Sequence, residues 1–225
     1  MTSKECVLQG LECLMVTPDG FDATKKYPVI LFLHGAGTRN ASPSAFLGNA
    51  YFKITAQYEG FPFVTIAPIC TGECWFDHGA QLIALTKEIA AMPFVDETRF
   101  YLVGNSMGGY GAWQLAMCVP EYFAAIVPIC GGGMYWDAGR LVNVPVWAFH
   151  GGKDPVVFPE ESEKMVAKVN KRGGNAKLTV YPENGHDSWS DTYANREVFE
   201  WLLSHTNQNA STLVNEYNNN QESFG

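Results

Sequence analysis

Apolar residues in this chain fall into short uninterrupted runs, separated by polar, turn-rich stretches and by segments with helical spacing. Residues 27–33 (Tyr-Pro-Val-Ile-Leu-Phe-Leu) form one such run. Runs of this length without polar alternation are expected of strands buried on both faces. Residues 63–67, 99–103, 123–129 and 144–149 predict further strands of the same kind, and residues 177–181 a last short one. Residues 6–8 and 11–16 predict short β structure near the start, closed by the turn signal Pro18-Asp19-Gly20. A short helix is expected to end near residue 57, and residues 81–91 put Leu82, Leu85 and Ile89 on one helical face. Residues 110–119 are rich in helix formers, 160–172 are amphipathic and stopped by Gly173-Gly174, and 195–205 carry Val198, Phe199, Leu202 and Leu203 at core spacing. Strands alternating with helices imply parallel pairing through right-handed crossovers. The expected fold is therefore α/β, a doubly wound, mostly parallel sheet with helices on both faces.

The chain has 225 residues, 47% of them hydrophobic, which suits one well-buried domain. That domain is expected over residues 1–205. Residues 206–225 read as a polar, Asn-rich and mobile tail, with a short helix around Leu213. Net charge is −8 and no run of Lys or Arg stands out, so neither nucleic acid nor an anionic membrane surface is an expected partner. The six cysteines are scattered. Cys118 and Cys130 lie in apolar runs and read as small core residues. Cys70 and Cys74 have no matching His or Cys pair, so no metal site is expected, and a disulfide between them has little support. The start of the chain carries no apolar leader, and no apolar run approaches the about 18 residues of a membrane span, so the expected location is cytoplasmic. A homo-oligomer is compatible with the sequence.

The chemistry-bearing motif is Gly104-Asn105-Ser106-Met107-Gly108, between a β-prone and a helix-prone stretch. A serine there sits on a sharp strand-to-helix turn that needs small flanking residues, at a helix N-terminus that favours negative charge. Ligand sites in open parallel sheets form at the carboxyl ends of strands. Four expected strand ends carry suitable residues: His34-Gly35-Ala36-Gly37, Ser106, Asp154 and His186. A serine hydroxyl needs a base, and His186 is the candidate. The imidazole needs a carboxylate to fix its tautomer; Asp154 is the candidate, with Asp187, Glu183 and Asp137 as weaker rivals. An oxyanion would be held by backbone N–H groups of Met107 and Ala36, with Gly37 as the alternative to Ala36. The Gly35-Ala36-Gly37 loop lacks the third glycine of a dinucleotide loop, and no Gly-Lys-Ser/Thr follows. His34 reads as structural. No cofactor is required.

Leu33-His34-Gly35-Ala36-Gly37, Gly104-Asn105-Ser106-Met107-Gly108-Gly109-Tyr110-Gly111-Ala112-Trp113 and the run from Phe123 to Gly133 resemble the α/β-hydrolase superfamily. The resemblance is closest to small, capless esterases related to prolyl-oligopeptidase-type and feruloyl-esterase-type hydrolases. Phe149-His150-Gly151-Gly152-Lys153-Asp154 resembles that group's acid-bearing segment, and Gly185-His186-Asp187-Ser188-Trp189 its histidine segment. The resemblance spans residues from about 27 to 204 and implies the order Ser, Asp, His. It implies a carboxylesterase-type serine hydrolase. Two departures stand out: an abbreviated N-terminal region, expected to lack one or two edge strands, and the polar C-terminal tail.

Only 13 residues separate Cys130 from Val144, too few for a lid domain. An open cleft is therefore expected, suited to a short-chain or aryl acyl group on a bulky or carbohydrate-linked alcohol. Trp75, Phe76, Tyr135, Trp136 and Trp189 are expected in loops at the catalytic edge. Trp75, Trp136 and Trp189 are the candidate substrate contacts, and Asp77 and His78 could touch polar groups. Two rival readings share the sequence: a peptidase using the same three residues, and a non-catalytic binding protein on this fold.

Overall fold

In the computed structural model, which describes residues 1–222, the apolar runs become neighbouring strands of one eight-stranded sheet. The strands are β1 (Thr2–Leu8), β2 (Leu11–Thr17), β3 (Tyr27–Leu33), β4 (Val64–Pro68), β5 (Val95–Asn105), β6 (Ala125–Ile129), β7 (Val146–Gly151) and β8 (Ala176–Tyr181). Their order is β1-β2-β4-β3-β5-β6-β7-β8. Every pairing from β4 to β8 is parallel, while β1 and β2 add an antiparallel edge. β4, β6 and β7 are buried along their whole length, which is why they read as unbroken apolar runs.

Helices cover both faces: α1 (Ala50–Thr55), α2 (Gly79–Ala90), α3 (Met107–Cys118), α4 (Glu160–Lys171), α5 (Trp189–Ala194), α6 (Arg196–Leu203) and α7 (Ala210–Glu222). Side chains of a strand alternate between faces, so β3 feeds two separate cores. Leu31 and Leu33 meet Leu82, Leu85 and Ile89 of α2, Trp113 of α3 and Met165 of α4 on one side. Ile30 and Phe32 meet Tyr51 and Phe52 of α1, Tyr193 of α5 and Phe199 and Leu202 of α6 on the other. Among the described residues, no helix is long and apolar enough to cross a membrane.

Three expectations need correction. The N-terminal region lacks no edge: β1 and β2 form a hairpin whose turn residues Gln9 and Gly10 both have positive φ, 50° and 75°. Only residues 6–8 of β1 were legible, because Thr2-Ser3-Lys4-Glu5 are exposed and polar; pairing with β2, not burial, makes those four part of the strand. Residues 206–222 are no mobile tail: Asn207 N–H donates to the Thr98 carbonyl at 2.8 Å and Ser211 Oγ to Glu97 Oε1 at 3.0 Å. Leu213 and Val214 of α7 then pack on the α2 side of the core, so the domain runs past residue 205. The expected loop at residues 70–79 contains a 3-10 turn (Trp75–His78), and Trp189 opens the short α5 instead of standing in a loop.

If α7 is part of the domain, polar replacement of its apolar pair weakens the fold. Leu213→Asn with Val214→Asn is expected to lower unfolding stability by about 2 kcal/mol, given their partial burial. Urea denaturation measures it; an unchanged midpoint would return the segment to the status of a free tail.

Candidate active site

β5 ends at Asn105 and α3 begins at Met107, leaving Ser106 alone in the turn with φ 55° and ψ −120°. That conformation is costly for a residue with a β-carbon and must be held by its surroundings. Ser106 N–H donates to the Ile129 carbonyl at 2.9 Å, and Tyr110 N–H donates to the Ser106 carbonyl at 3.0 Å. The flanking glycines have no room for anything larger. A β-carbon at Gly104 would lie 2.1 Å from the Gly108 carbonyl oxygen, and one at Gly108 would lie 1.9 Å from the Leu33 carbonyl oxygen. The five-residue motif is thus the sequence record of a backbone-to-backbone contact.

The fold brings three distant side chains together here. Ser106 Oγ lies 2.8 Å from His186 Nε2, and His186 Nδ1 lies 2.8 Å from Asp154 Oδ2. Asp154 follows β7 with its side chain fully buried; His186 follows β8 and keeps 21% of its side chain exposed. Asp154 Oδ1 accepts from the N–H groups of Val156 and Val157 at 2.9 and 3.0 Å, which leaves Oδ2 for His186. Burial opposes the charge on Asp154. The hydrogen bonds from His186, Val157 and Val156 outweigh it and hold the carboxyl below its ordinary range. An ionised carboxylate only accepts, so His186 Nδ1 carries the proton and Nε2 is left to accept from the serine hydroxyl.

The rival carboxylates are engaged elsewhere. Asp187 accepts from Ser190 N–H and Ser190 Oγ at the start of α5, and Glu183 pairs with Lys153. Asp137 sits in the 3-10 segment Tyr135–Leu141. One supporting residue was not assigned a role from sequence: the buried His150 of β7. Its Nε2 lies 2.9 Å from the Val157 carbonyl and 3.3 Å from Asp154 Oδ2, and its Nδ1 lies 2.7 Å from Ser162 Oγ. It pins the Asp154 loop from below. Its signal in the sequence was its place at the end of the apolar run 144–149, in the segment that carries Asp154.

Ala36 opens the 3-10 turn Ala36–Thr38 after β3, and Met107 is the first residue of α3. Among the described residues, neither backbone N–H has a hydrogen-bond acceptor. The β3 loop lies against the serine, since a β-carbon at Gly35 would come 3.5 Å from Ser106 Cβ. Two unpaired N–H groups, one at the positive end of a helix, flank a serine hydroxyl: an arrangement suited to a developing oxyanion.

The candidate aromatic contacts separate. Trp75 is 1% exposed, not presented by a loop, and its Nε1–H donates to the His34 carbonyl at 2.9 Å. Trp189 packs edge-on against His186, ring centroids 5.3 Å apart. Trp136 is 63% exposed and leans on Tyr135. Asp77 accepts from the N–H groups of Glu73 and Cys74, and His78 Nε2 from that of Gly72, so both build their own loop. His34 is bound on both ring nitrogens, to the Gly35 carbonyl at 2.7 Å and the Cys70 N–H at 3.0 Å, and ties the ends of β3 and β4 together. All six cysteines are free thiols. Cys130 places its sulfur within 4.8 Å of ligand atoms of Asp154 and His186. Burial pushes its thiol up to about 12, which disfavours the thiolate that a metal would need.

With this geometry in place, comparison with known proteins is informative. Residues 77–216 match the model described as the dienelactone hydrolase family. Probable feruloyl esterase C of Aspergillus terreus is 24% identical over 172 residues, covering 74% of this chain and 63% of that protein. Dipeptidyl-peptidase 5 of Porphyromonas gingivalis is 24% identical over 242 residues, covering 84% of this chain and 35% of that protein. The chain therefore spans between about a third and two thirds of the length of these relatives. The crystal structure of a thermostable esterase superposes with a TM-score of 0.80 at 33% identity, over 91% of this chain and 63% of that one. Est1E from Butyrivibrio proteoclasticus shares the fold, with a TM-score of 0.68 at 15% identity over 91% of this chain and 98% of its own.

Burial of His34 gives the site's scaffold a definite acid sensitivity. Its pKa falls from 6.5 to about 4, chiefly because burial disfavours the charged ring. The unfolded chain then binds a proton that the folded one refuses. Stability is full above pH 6.5 and declines as pH falls to about 4, by about 3 kcal/mol in all. Below its ordinary 3.8, the lowered Asp154 carboxyl adds a loss of the same sign. Urea midpoints followed from neutral pH to about 4 should fall steadily; a flat midpoint would contradict the assignment.

Proposed function

The chain belongs to the dienelactone hydrolase family, and we propose that it hydrolyses carboxylic esters through a covalent acyl-enzyme on Ser106. The observation that carries this reading is the unbroken path Ser106 Oγ, His186 Nε2, His186 Nδ1, Asp154 Oδ2, with both links at 2.8 Å. Ser106 Oγ attacks the ester carbonyl carbon while His186 Nε2 takes its proton. The carbonyl oxygen becomes an oxyanion held by the N–H groups of Met107 and Ala36. In comparable sites the loss of one such donor costs about 2.7–4 kcal/mol of transition-state stabilisation. His186 then returns the proton to the departing alkoxide, and the alcohol leaves an acyl group on Ser106. Water, losing a proton to His186, attacks that acyl group; collapse of the second tetrahedral intermediate re-forms the serine hydroxyl and frees the acid. Asp154 remains ionised throughout and stabilises the imidazolium formed in each half.

Between β6 and β7 the only regular element is the 3-10 segment Tyr135–Leu141, with no lid domain inserted there. A connection this short favours esters of bulky alcohols, carbohydrate-linked ones included. The likeness to dipeptidyl-peptidase 5 favours a second reading, peptide hydrolysis by the same residues. The chemistry differs only in the poorer leaving group, so matched ester and amide substrates separate the two. A binding protein without catalysis would have no use for the Ser106–His186 hydrogen bond.

Ser106→Ala is expected to lower kcat/KM for p-nitrophenyl acetate by about 10⁴-fold or more. Asp154→Asn, which leaves His186 in the wrong tautomer, is expected to cost about 10⁴-fold. Initial rates on folded variants measure both. Rates equal to the unmodified protein would refute the esterase assignment.

A further inference from the structure

Met107, the residue that follows the serine, borders a recess of about 250 Å³ lined also by Cys74, Trp75, Phe76 and Tyr110. Trp75, Phe76 and Tyr110 also wall a second recess of about 400 Å³, which continues between α2 and α3 over Leu82, Ile83 and Leu115. The two recesses adjoin across these shared residues and make up a groove that borders Met107 at one end and aliphatic side chains at the other.

The walls are fixed rather than collapsible. Trp75 is locked by the hydrogen bond from its Nε1–H to the His34 carbonyl, and a β-carbon at Gly111 would come within 3.0 Å of its ring. Glycine at that point of α3 lets the helix pass close to the indole. The lining carries no charged side chain; its polar groups are the Tyr110 hydroxyl and the Gln114 amide, which leans on Cys118 Sγ at 3.7 Å. Phe76 and Met134 stand at the mouth, 53% and 39% exposed. A passage of this size and polarity suits a neutral apolar group, within the range of small-molecule pockets.

Sheet order says which half of the ester enters. His186 must protonate the departing oxygen, so the alcohol lies on its side of Ser106. His186 follows β8 and Asp154 follows β7, while Trp75 and Phe76 follow β4; in the order β4-β3-β5-β6-β7-β8 they flank β5 from opposite directions. We propose that this groove is the acyl subsite, and that it selects esters of neutral, apolar acids with chains well beyond acetyl. The proposal rests on the esterase reading and adds to it the identity of the acid.

The test compares p-nitrophenyl acetate, butyrate and octanoate with acetates of increasingly large alcohols. Ile83→Trp fills the far recess, and Ile83→Ala enlarges it. The unmodified protein should prefer octanoate to acetate. Ile83→Trp should lower the octanoate-to-acetate ratio of kcat/KM by at least about tenfold, and Ile83→Ala should shift the preference to longer chains. Ratios unchanged in both variants would overturn the proposal, as would an effect that follows the alcohol series instead. An unmodified protein that cleaves acetate but not octanoate would refute the subsite alone. One that cleaves no ester at all would refute the esterase reading with it.

Discussion

A contact between bare backbones holds this site together: the N-terminal turn of α3 rests on the carbonyl ends of β3 and β6 with no β-carbon between them. A β-carbon at Gly108 would stand 1.9 Å from the Leu33 oxygen, and one at Gly109 2.4 Å from the Ile129 oxygen. Because the helix can come that close, its first N–H, on Met107, opens beside the loop that carries Ala36. The same approach forces Ser106 into its positive-φ turn, a strain on the order of 1–3 kcal/mol. The two cores on either side of β3 oppose that strain, burying large side chains such as Trp113, Phe32 and Tyr51.

Four of the five histidines show how surroundings, not residue type, decide a role. His34 has both ring nitrogens bound to backbone groups, which leaves neither free to exchange a proton. His78 is bound to the Gly72 N–H and to Gln81, and His150 to Ser162 and the Val157 carbonyl. His150 also stands near Asp154, its Nε2 3.3 Å from Oδ2, but it is fully buried and closer to the Val157 carbonyl; His186 takes the shorter 2.8 Å contact with that oxygen, meets the Ser106 hydroxyl on its other nitrogen and keeps 21% of its side chain exposed. The buried Asp154 makes that arrangement directional: its Oδ1 is taken up by two N–H groups, which leaves Oδ2 as the oxygen that meets His186.

The legible parts of the sequence were those written in burial or in steric necessity. β3 coincides with its apolar run, and the motif around Ser106 announces a crowded turn through its glycines. Ser106, Asp154 and His186 could be placed because each follows a parallel strand, and parallel strands end at one edge. What was legible only in part depends on pairing elsewhere. Of β1 only residues 6–8 showed in the sequence, the rest being a strand by virtue of β2; α7 showed as a short helix around Leu213, but its anchorage through Asn207 to Thr98 and Ser211 to Glu97, each more than a hundred residues away, did not. Trp75 looked like a loop aromatic because its indole partner, the His34 carbonyl, lies 41 residues earlier. The support of Asp154 by His150 is likewise a matter of three dimensions.

The central claim is that His186 and Asp154 make Ser106 the one reactive hydroxyl of this chain. A fluorophosphonate probe followed by intact-mass and peptide mapping tests it directly. One adduct per chain, on Ser106, abolished by His186→Ala in a folded protein, is the predicted result. A folded chain that stays unlabelled, or takes the label at another residue, would contradict the account.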